Sequence, residues 1–314
     1  MEKENETLDS TSISKKEIIY NLNLLAPENL KDIQKDLTTY LFNEEKICHI
    51  LIEQIIEKAW GQPKYASTYA KLCSDFSKIA PEKFNFQSGK DKKKENPFKL
   101  YLISKVQHSF DKKVEEIPEF ENEDKKENWL KETKKKILGN VKFIAELILS
   151  KVLKKKIMKI CISQLLFTFL AKYYYWRKTS KLVDSYYDYY FDALIEFIEN
   201  MGDFYEKMDE SGEKKDDKKE EKKEEKTAPY EPARNKIIDL IEMNQKPPEE
   251  EIEEITNLRA EDYFNLFAII DERILKKKNS RLSALLLNLT ERRSNNWQKH
   301  HTESEGPKKL KEIK

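Results

Sequence analysis

The chain has 314 residues, of which 37% are charged and 38% hydrophobic, with only 6 glycines and 10 prolines and a formal net charge of +1. So few turn-forming residues argue against a sheet-rich fold. The near-neutral balance argues against a dedicated nucleic-acid clamp with a global basic field, so any RNA contact has to come from local patches.

Residues 1–14 are polar and acidic, lack the apolar core of a signal peptide, and read as a disordered tail. A helical pattern begins at Lys15. Pro27-Glu28 is suited to opening the next helix, whose apolar face is Leu30, Ile33, Leu37 and Leu41. Ile47, Ile50, Leu51, Ile55 and Ala59 mark another helix, which Gly61 closes before Pro63 starts the next. That one carries Tyr65, Tyr69, Leu72, Cys73 and Phe76. After a lysine-rich loop at 84–95, Pro97 reopens a helix through Leu100, Ile103, Val106 and Phe110. Residues 115–126 read as an acidic loop. A helical block over 129–175 breaks near Ser150, and a further helix covers 178–204. Residues 209–226 are a lysine/glutamate run with little to bury, part of a charged insertion over 206–229. Beyond the connector at Pro247-Pro248, helices are predicted over 260–277 and 280–291, with a polar tail over 298–314.

The fold class that follows is all-α: an α-solenoid of about five antiparallel helical-hairpin repeats, HEAT-like in size, occupying residues 15–297. Solenoids of this kind mostly bind partners. No glycine-rich phosphate loop, His-Glu-x-x-His or Gly-x-Ser-x-Gly is present, and the many carboxylates lie on charged faces, so no catalytic residue, metal or cofactor is expected. Cys48, Cys73 and Cys161 have no zinc-ligand spacing and read as small core residues in a reducing compartment. The most apolar run, 160–171, is shorter than the roughly 20 residues of a membrane span. The expected setting is soluble and intracellular, with the cytoplasm as the compartment.

Several stretches, in order, resemble the middle domain of eukaryotic translation initiation factor 4G. They begin with Asn23-Leu24-Leu25-Ala26-Pro27-Glu28-Asn29, then Ile55-Ile56-Glu57-Lys58-Ala59 and Gln62-Pro63-Lys64-Tyr65 with Tyr69-Ala70-Lys71-Leu72-Cys73. Phe98-Lys99-Leu100-Tyr101-Leu102 with Gln107 and Phe110 follows. The sharpest is Leu138-Gly139-Asn140-Val141-Lys142-Phe143-Ile144-Ala145-Glu146-Leu147. Last come Asn279-Ser280-Arg281, leading to Arg292-Arg293-Ser294-Asn295-Asn296-Trp297, and Gly306-Pro307-Lys308. Periodicity alone makes Leu138, Val141, Ile144, Ala145 and Leu147 core positions. It gives Gly139-Asn140 either a close helix approach or a turn cap. Trp297 reads equally as a staple for the last helix or as a partner contact.

The resemblance implies a monomeric, non-enzymatic scaffold for translation initiation. It would hold a DEAD-box RNA helicase of the initiation factor 4A type, gripping both lobes, together with messenger RNA, and would promote recruitment of the small ribosomal subunit. The alternative is a single-domain regulator or an mRNA-processing or decay adaptor that binds messenger-associated proteins without stimulating a helicase. On this resemblance the helicase-binding candidates are Lys142, Phe143, Glu146, Arg281, Asn295, Asn296 and Trp297. The RNA-binding candidates are Lys134, Lys135, Lys136, Lys154, Lys155, Lys156, Lys276, Lys277, Lys278, Arg292 and Arg293. The aromatic run Tyr173-Tyr174-Tyr175-Trp176-Arg177 is open between base stacking and core packing. A cap-binding subunit would recognise Tyr-x-x-x-x-Leu-hydrophobic. Tyr189…Leu194-Ile195 fits this formally inside a repeat helix, and Tyr20…Leu25-Ala26 fits less well. One departure stands out: where the family commonly has Arg-x-Arg-Phe in the final helix, this chain has Arg281-Leu282-Ser283-Ala284.

Overall fold

A computed structural model describes residues 14–42, 44–86, 96–111, 119–176, 184–210, 260–276 and 280–298. Among these are ten helices and no strand. We label them α1 (14–24), α2 (Leu30–Thr38), α3 (Glu45–Gly61), α4 (Ala66–Ser77), α5 (Pro97–Asp111), α6 (Glu123–Leu149), α7 (Lys156–Trp176), α8 (Asp184–Glu210), α9 (Ala260–Ile270) and α10 (Ser280–Ser294). Short 3₁₀ turns, Pro63–Tyr65 and Pro81–Lys83, precede α4 and follow it, and α9 runs on into a π-helical turn, Asp271–Leu275. The chain is an all-α, HEAT-like helical-repeat fold. It forms two compact units that divide between Met158 and Lys159.

In the first unit, α6 packs on α3 and α4. The predicted stripe is buried at Leu30, Ile33 and Leu37 on α2 and at Leu41 in the turn after it, and Leu51, Ile55, Tyr69, Phe76, Phe98 and Phe143 fill the interior. Gly61 ends α3 and Pro63 opens the turn before α4, as the spacing predicts. Asn96 couples two helices. Its carboxamide donates to the carbonyls of Phe76 (2.9 Å) and Ile79 (2.8 Å) at the end of α4, and its oxygen accepts from the Lys99 amide (3.0 Å) to cap α5. In the second unit, α9 and α10 pack on α8. Phe191, Phe197, Tyr263, Phe267 and Leu282 are buried there, and the hydroxyls of Ser163 and Tyr263 meet at 2.7 Å inside the core.

Three predicted boundaries move. Pro27-Glu28 does not open a helix: the Asn29 side chain accepts from the Ala26 amide (2.7 Å) and donates to the Leu24 carbonyl (2.7 Å), and this local turn delays α2 to Leu30. The acidic stretch over 115–126 is partly helix, because Asn122 accepts from the Lys125 amide (2.9 Å) while Glu123 and Asp124 favour the positive end of the α6 dipole. Likewise α8 continues to Glu210, so residues 206–210 of the predicted insertion are helical. The rest of that insertion, Pro247-Pro248 and both tails up to 13 and from 299 lie outside the described residues.

All three cysteines are buried and unpaired by disulfides. No helix among the described residues is long and apolar enough to cross a membrane.

Candidate functional site

In the first unit, the Leu-Gly-Asn segment lies in the middle of α6, so Gly139 caps no turn. Its role is close approach. A Cβ placed on Gly139 would stand 2.3 Å from the Trp60 carbonyl oxygen and 2.7 Å from Trp60 Cα, so only glycine lets the α6 backbone reach the end of α3. Asn140 completes the joint by accepting from the Trp60 indole N–H (3.1 Å). Val141, Ile144, Ala145 and Leu147 are buried, and Leu138 is half-buried. Phe143 is 0% exposed and belongs to the core. As a helicase contact it is therefore corrected: it supports the helix from inside. Lys142 and Glu146 are half-buried, one turn apart on the same helix, and keep part of their side chains at the surface.

Farther up α6, Lys135 and Lys136 are exposed and Lys134 is half-buried. At the other end, α6 stops at Leu149, and Lys154 and Lys155 in the turn that follows are exposed. The side chain of Lys156 lies outside the described residues, as do those of Tyr173, Tyr174, Tyr175, Trp176 and Arg177.

In the second unit, α10 is laced onto α8 by three arginines that make four carboxylate pairs. Arg281 binds Asp192 at 2.7 Å and Asp188 at 3.6 Å, Arg292 binds Glu199 at 3.2 Å, and Arg293 Nε binds Glu206 at 2.5 Å. Burial works against the charge on Arg281, but the hydrogen bond to Asp192 and the negative charges of Asp192 and Asp188 outweigh it, so its pKa is raised. Its side chain is 49% exposed while that of Asp192 is 8% exposed, so Arg281 neutralises a buried acid and still faces outward. Arg292 is only 14% exposed, and the guanidinium of Arg293 lies 4.2 Å over the Phe264 ring. Both arginines thus hold the helix pair together as ion pairs.

The Asn-Asn-Trp ending has a clear local cause. The Asn296 amide donates to Arg293 (3.0 Å) and the Trp297 amide to Arg292 (2.8 Å), the paired bonds of a Schellman C-cap. Asn296 takes the left-handed position at φ 52°, which asparagine tolerates well; Trp297 follows at φ 59°. The turn throws the indole back onto α8. Its N–H donates to Glu206 (2.6 Å), its ring meets Phe264 at 6.1 Å, and a Cβ on Gly202 would collide with it at 2.2 Å. Of the two readings of Trp297, the structure supports the staple. Asn295 and Asn296 are exposed beside it.

Lys276 pairs with Asp271 at 3.6 Å, while Lys277 and Lys278 lie outside the described residues. The departures near Arg281 fall on the outer side of α10: Ala284 is exposed and Ser283 half-buried, whereas Leu282 is fully buried. The formal cap-binding match is not presentable, since Leu194 and Ile195 are buried at 0% and 4%. Tyr20 is 64% exposed, but its partner Leu25 is buried at 6%. Sequence reasoning missed Gly202, Glu206 and Asn96; only Gly202 carried a signal, as a glycine inside a helical pattern.

The description "MIF4G domain" matches residues 16–296, across both units. Eukaryotic translation initiation factor 4 gamma 2 of Homo sapiens is 32% identical over 158 residues, covering 46% of this chain and 17% of that protein. Eukaryotic translation initiation factor 4G of Arabidopsis thaliana is 28% identical over 155 residues, covering 46% of this chain and 9% of the relative. Eukaryotic translation initiation factor 4 gamma 1 of Mus musculus is 27% identical over 167 residues, 46% of this chain and 10% of the relative. The aligned region is thus a small part of each of these curated relatives.

Proposed function

The chain belongs to the MIF4G domain family, a family of translation-initiation and mRNA-associated scaffolds, and on that premise we propose that it holds a DEAD-box RNA helicase of the initiation factor 4A type together with messenger RNA, in the cytoplasm, and so promotes recruitment of the small ribosomal subunit. The observation that carries the reading is the family match running from residue 16 to 296, the span expected to act as one middle domain. Two of its motif residues build closely packed helix joints: Gly139 against Trp60, and Trp297 against Gly202, Glu206 and Phe264. Rigid joints are what a scaffold needs to bias a mobile partner towards one arrangement, because a partner's equilibrium shifts only by the difference in affinity for its two states. The helicase would meet the exposed portions of Lys142, Glu146 and Arg281 with Asn295 and Asn296, and RNA would meet the exposed lysines. ATP chemistry would belong to the helicase alone.

The direct test is a binding titration of the purified full chain against an initiation factor 4A-type helicase. Saturable one-to-one association that weakens on Arg281→Glu supports the reading; no association at micromolar concentrations removes it. Ser283 and Ala284 favour a second reading, a regulator that binds messenger-associated proteins without stimulating a helicase. Under that reading association with such proteins persists while helicase turnover stays flat.

A further inference from the structure

The turn that ends α6 is an unusual place for a lysine. The Lys151 amide donates to Ile148 (3.0 Å) and the Val152 amide to Leu147 (2.9 Å), which makes Lys151 the residue at the left-handed position of a Schellman cap, with φ 60°. Glycine is the usual occupant. An L-residue without a short polar side chain costs about 1 kcal/mol there. The strained position therefore carries a cation at the tip of an exposed turn, and an outlier of this kind points towards use rather than stability.

The turn does not stand alone. The Ser74 hydroxyl donates to the Ser150 carbonyl (3.2 Å), which pins the turn against α4. Lys71 and Lys78 stand three residues before and four residues after Ser74, on its own helix face, and both are exposed. Lys154 and Lys155 follow Lys151 and are also exposed. Asp75 pairs with Lys78 at 3.3 Å, and Glu146 lies one turn before the cap. Five exposed lysines are thus drawn from two segments distant in sequence and joined by the Ser74–Ser150 bond, in a chain whose overall charge is close to zero.

We infer that Lys71, Lys78, Lys151, Lys154 and Lys155 form one composite surface that holds the phosphate backbone of single-stranded RNA. This deepens and rests on the RNA half of the function proposed above. Lysines on flexible stems match a backbone of point charges and carry no base-reading geometry, so binding is sequence-tolerant and strongly salt-dependent.

The test uses the full chain and a fluorescein-labelled oligouridine of about twenty nucleotides, with binding measured by anisotropy across a salt series. For single strands each phosphate contact adds about 0.7 to the salt slope, or about fivefold in affinity at 0.1 M salt. The triple variant Lys71→Gln, Lys151→Gly, Lys154→Gln should lose about 2 from the slope and bind about a hundredfold more weakly at 0.1 M salt. A control with the same charge change at the exposed Lys31, Lys35 and Lys46, each to Gln, should bind as the unaltered chain does. Lys151→Gly alone separates function from structure. Glycine suits the left-handed position, so thermal stability should hold or rise while RNA affinity falls about fivefold. If the unaltered chain binds no oligouridine, the RNA half of the proposed function fails and this surface fails with it. If it binds but the triple variant keeps the same slope, the surface alone is overturned. If polyglutamate binds as tightly through the same three lysines, the face serves an acidic protein and the RNA assignment is overturned.

Discussion

Replacing Gly139 by alanine tests whether the joint between α3 and α6 is built as described. In an ordinary helix interior this change stabilises by about 1 kcal/mol, because alanine is the better helix former. Here the new Cβ would lie 2.3 Å from the Trp60 carbonyl oxygen, 2.7 Å from its Cα and 2.8 Å from its carbonyl carbon, all of them backbone atoms. Ordinary contact begins at 3.4 Å, so the backbones must separate by 3.4 − 2.3 = 1.1 Å. That movement loosens the Asn140–Trp60 hydrogen bond and opens the packing between α3 and α6. Overpacking of this kind costs roughly 1–3 kcal/mol, and with backbone on both sides the upper end applies. Set against the helix-propensity gain, the net loss is about 2 kcal/mol, which lowers Tm by about 4–8 °C for a unit of this size. Thermal unfolding followed by far-ultraviolet circular dichroism measures it. An unchanged or higher Tm for Gly139→Ala would refute the close approach.

Trp297→Ala removes the indole bond to Glu206 and its contacts with Gly202 and Phe264; for a half-buried tryptophan the loss is about 2 kcal/mol, seen as a fall of about 1 M in the urea midpoint at an m-value of ~2 kcal/mol/M. A midpoint that does not move would return Trp297 to a purely partner-facing role. Burial pushes the Cys48 thiol up to about 12 and raises that of Cys73 as well. A raised thiol pKa leaves almost no thiolate at pH 8, so both should resist a thiol reagent in the native chain and react once it is unfolded. Rapid labelling of either in the native chain would contradict that burial. Restoring the family pattern with Ser283→Arg and Ala284→Phe adds an arginine and an aromatic anchor beside Arg281, and should tighten helicase binding about tenfold, or ~1.4 kcal/mol, in a calorimetric titration. Equal or weaker affinity would mean that the outer face of α10 does not meet the helicase.

Helix identity was largely legible because it is a one-dimensional signal. The spacing of Leu30, Ile33, Leu37 and Leu41 names a buried face, Gly61 with Pro63 marks one break, and the break expected near Ser150 falls where α6 ends at Leu149. The boundaries that moved depend on side chains bonding to nearby backbone, as at Asn29 and Asn122, where charge pattern alone reads as loop. The candidate site was less legible for a different reason. Periodicity assigns a residue to a face of its own helix and says nothing about which helix lies opposite. Arg292 and Arg293 read as free cations until α8 brings Glu199 and Glu206 to them. Phe143 sits between Lys142 and Glu146 in a motif that looks continuous, yet its direction from the helix axis takes it into the core. Lys151 offered no signal at all, since its left-handed backbone appears only when the cap forms.

The proposed scaffold role rests most directly on whether this chain changes a helicase's turnover. The measurement is the RNA-dependent ATPase rate of a purified initiation factor 4A-type helicase, titrated with the full chain at fixed RNA and saturating ATP. If the helicase alone occupies its productive arrangement about a tenth of the time, a scaffold favouring that arrangement tenfold raises the rate about fivefold. The account predicts a saturating rise of that order, diminished by Arg281→Glu. A flat rate at chain concentrations that saturate binding would contradict it.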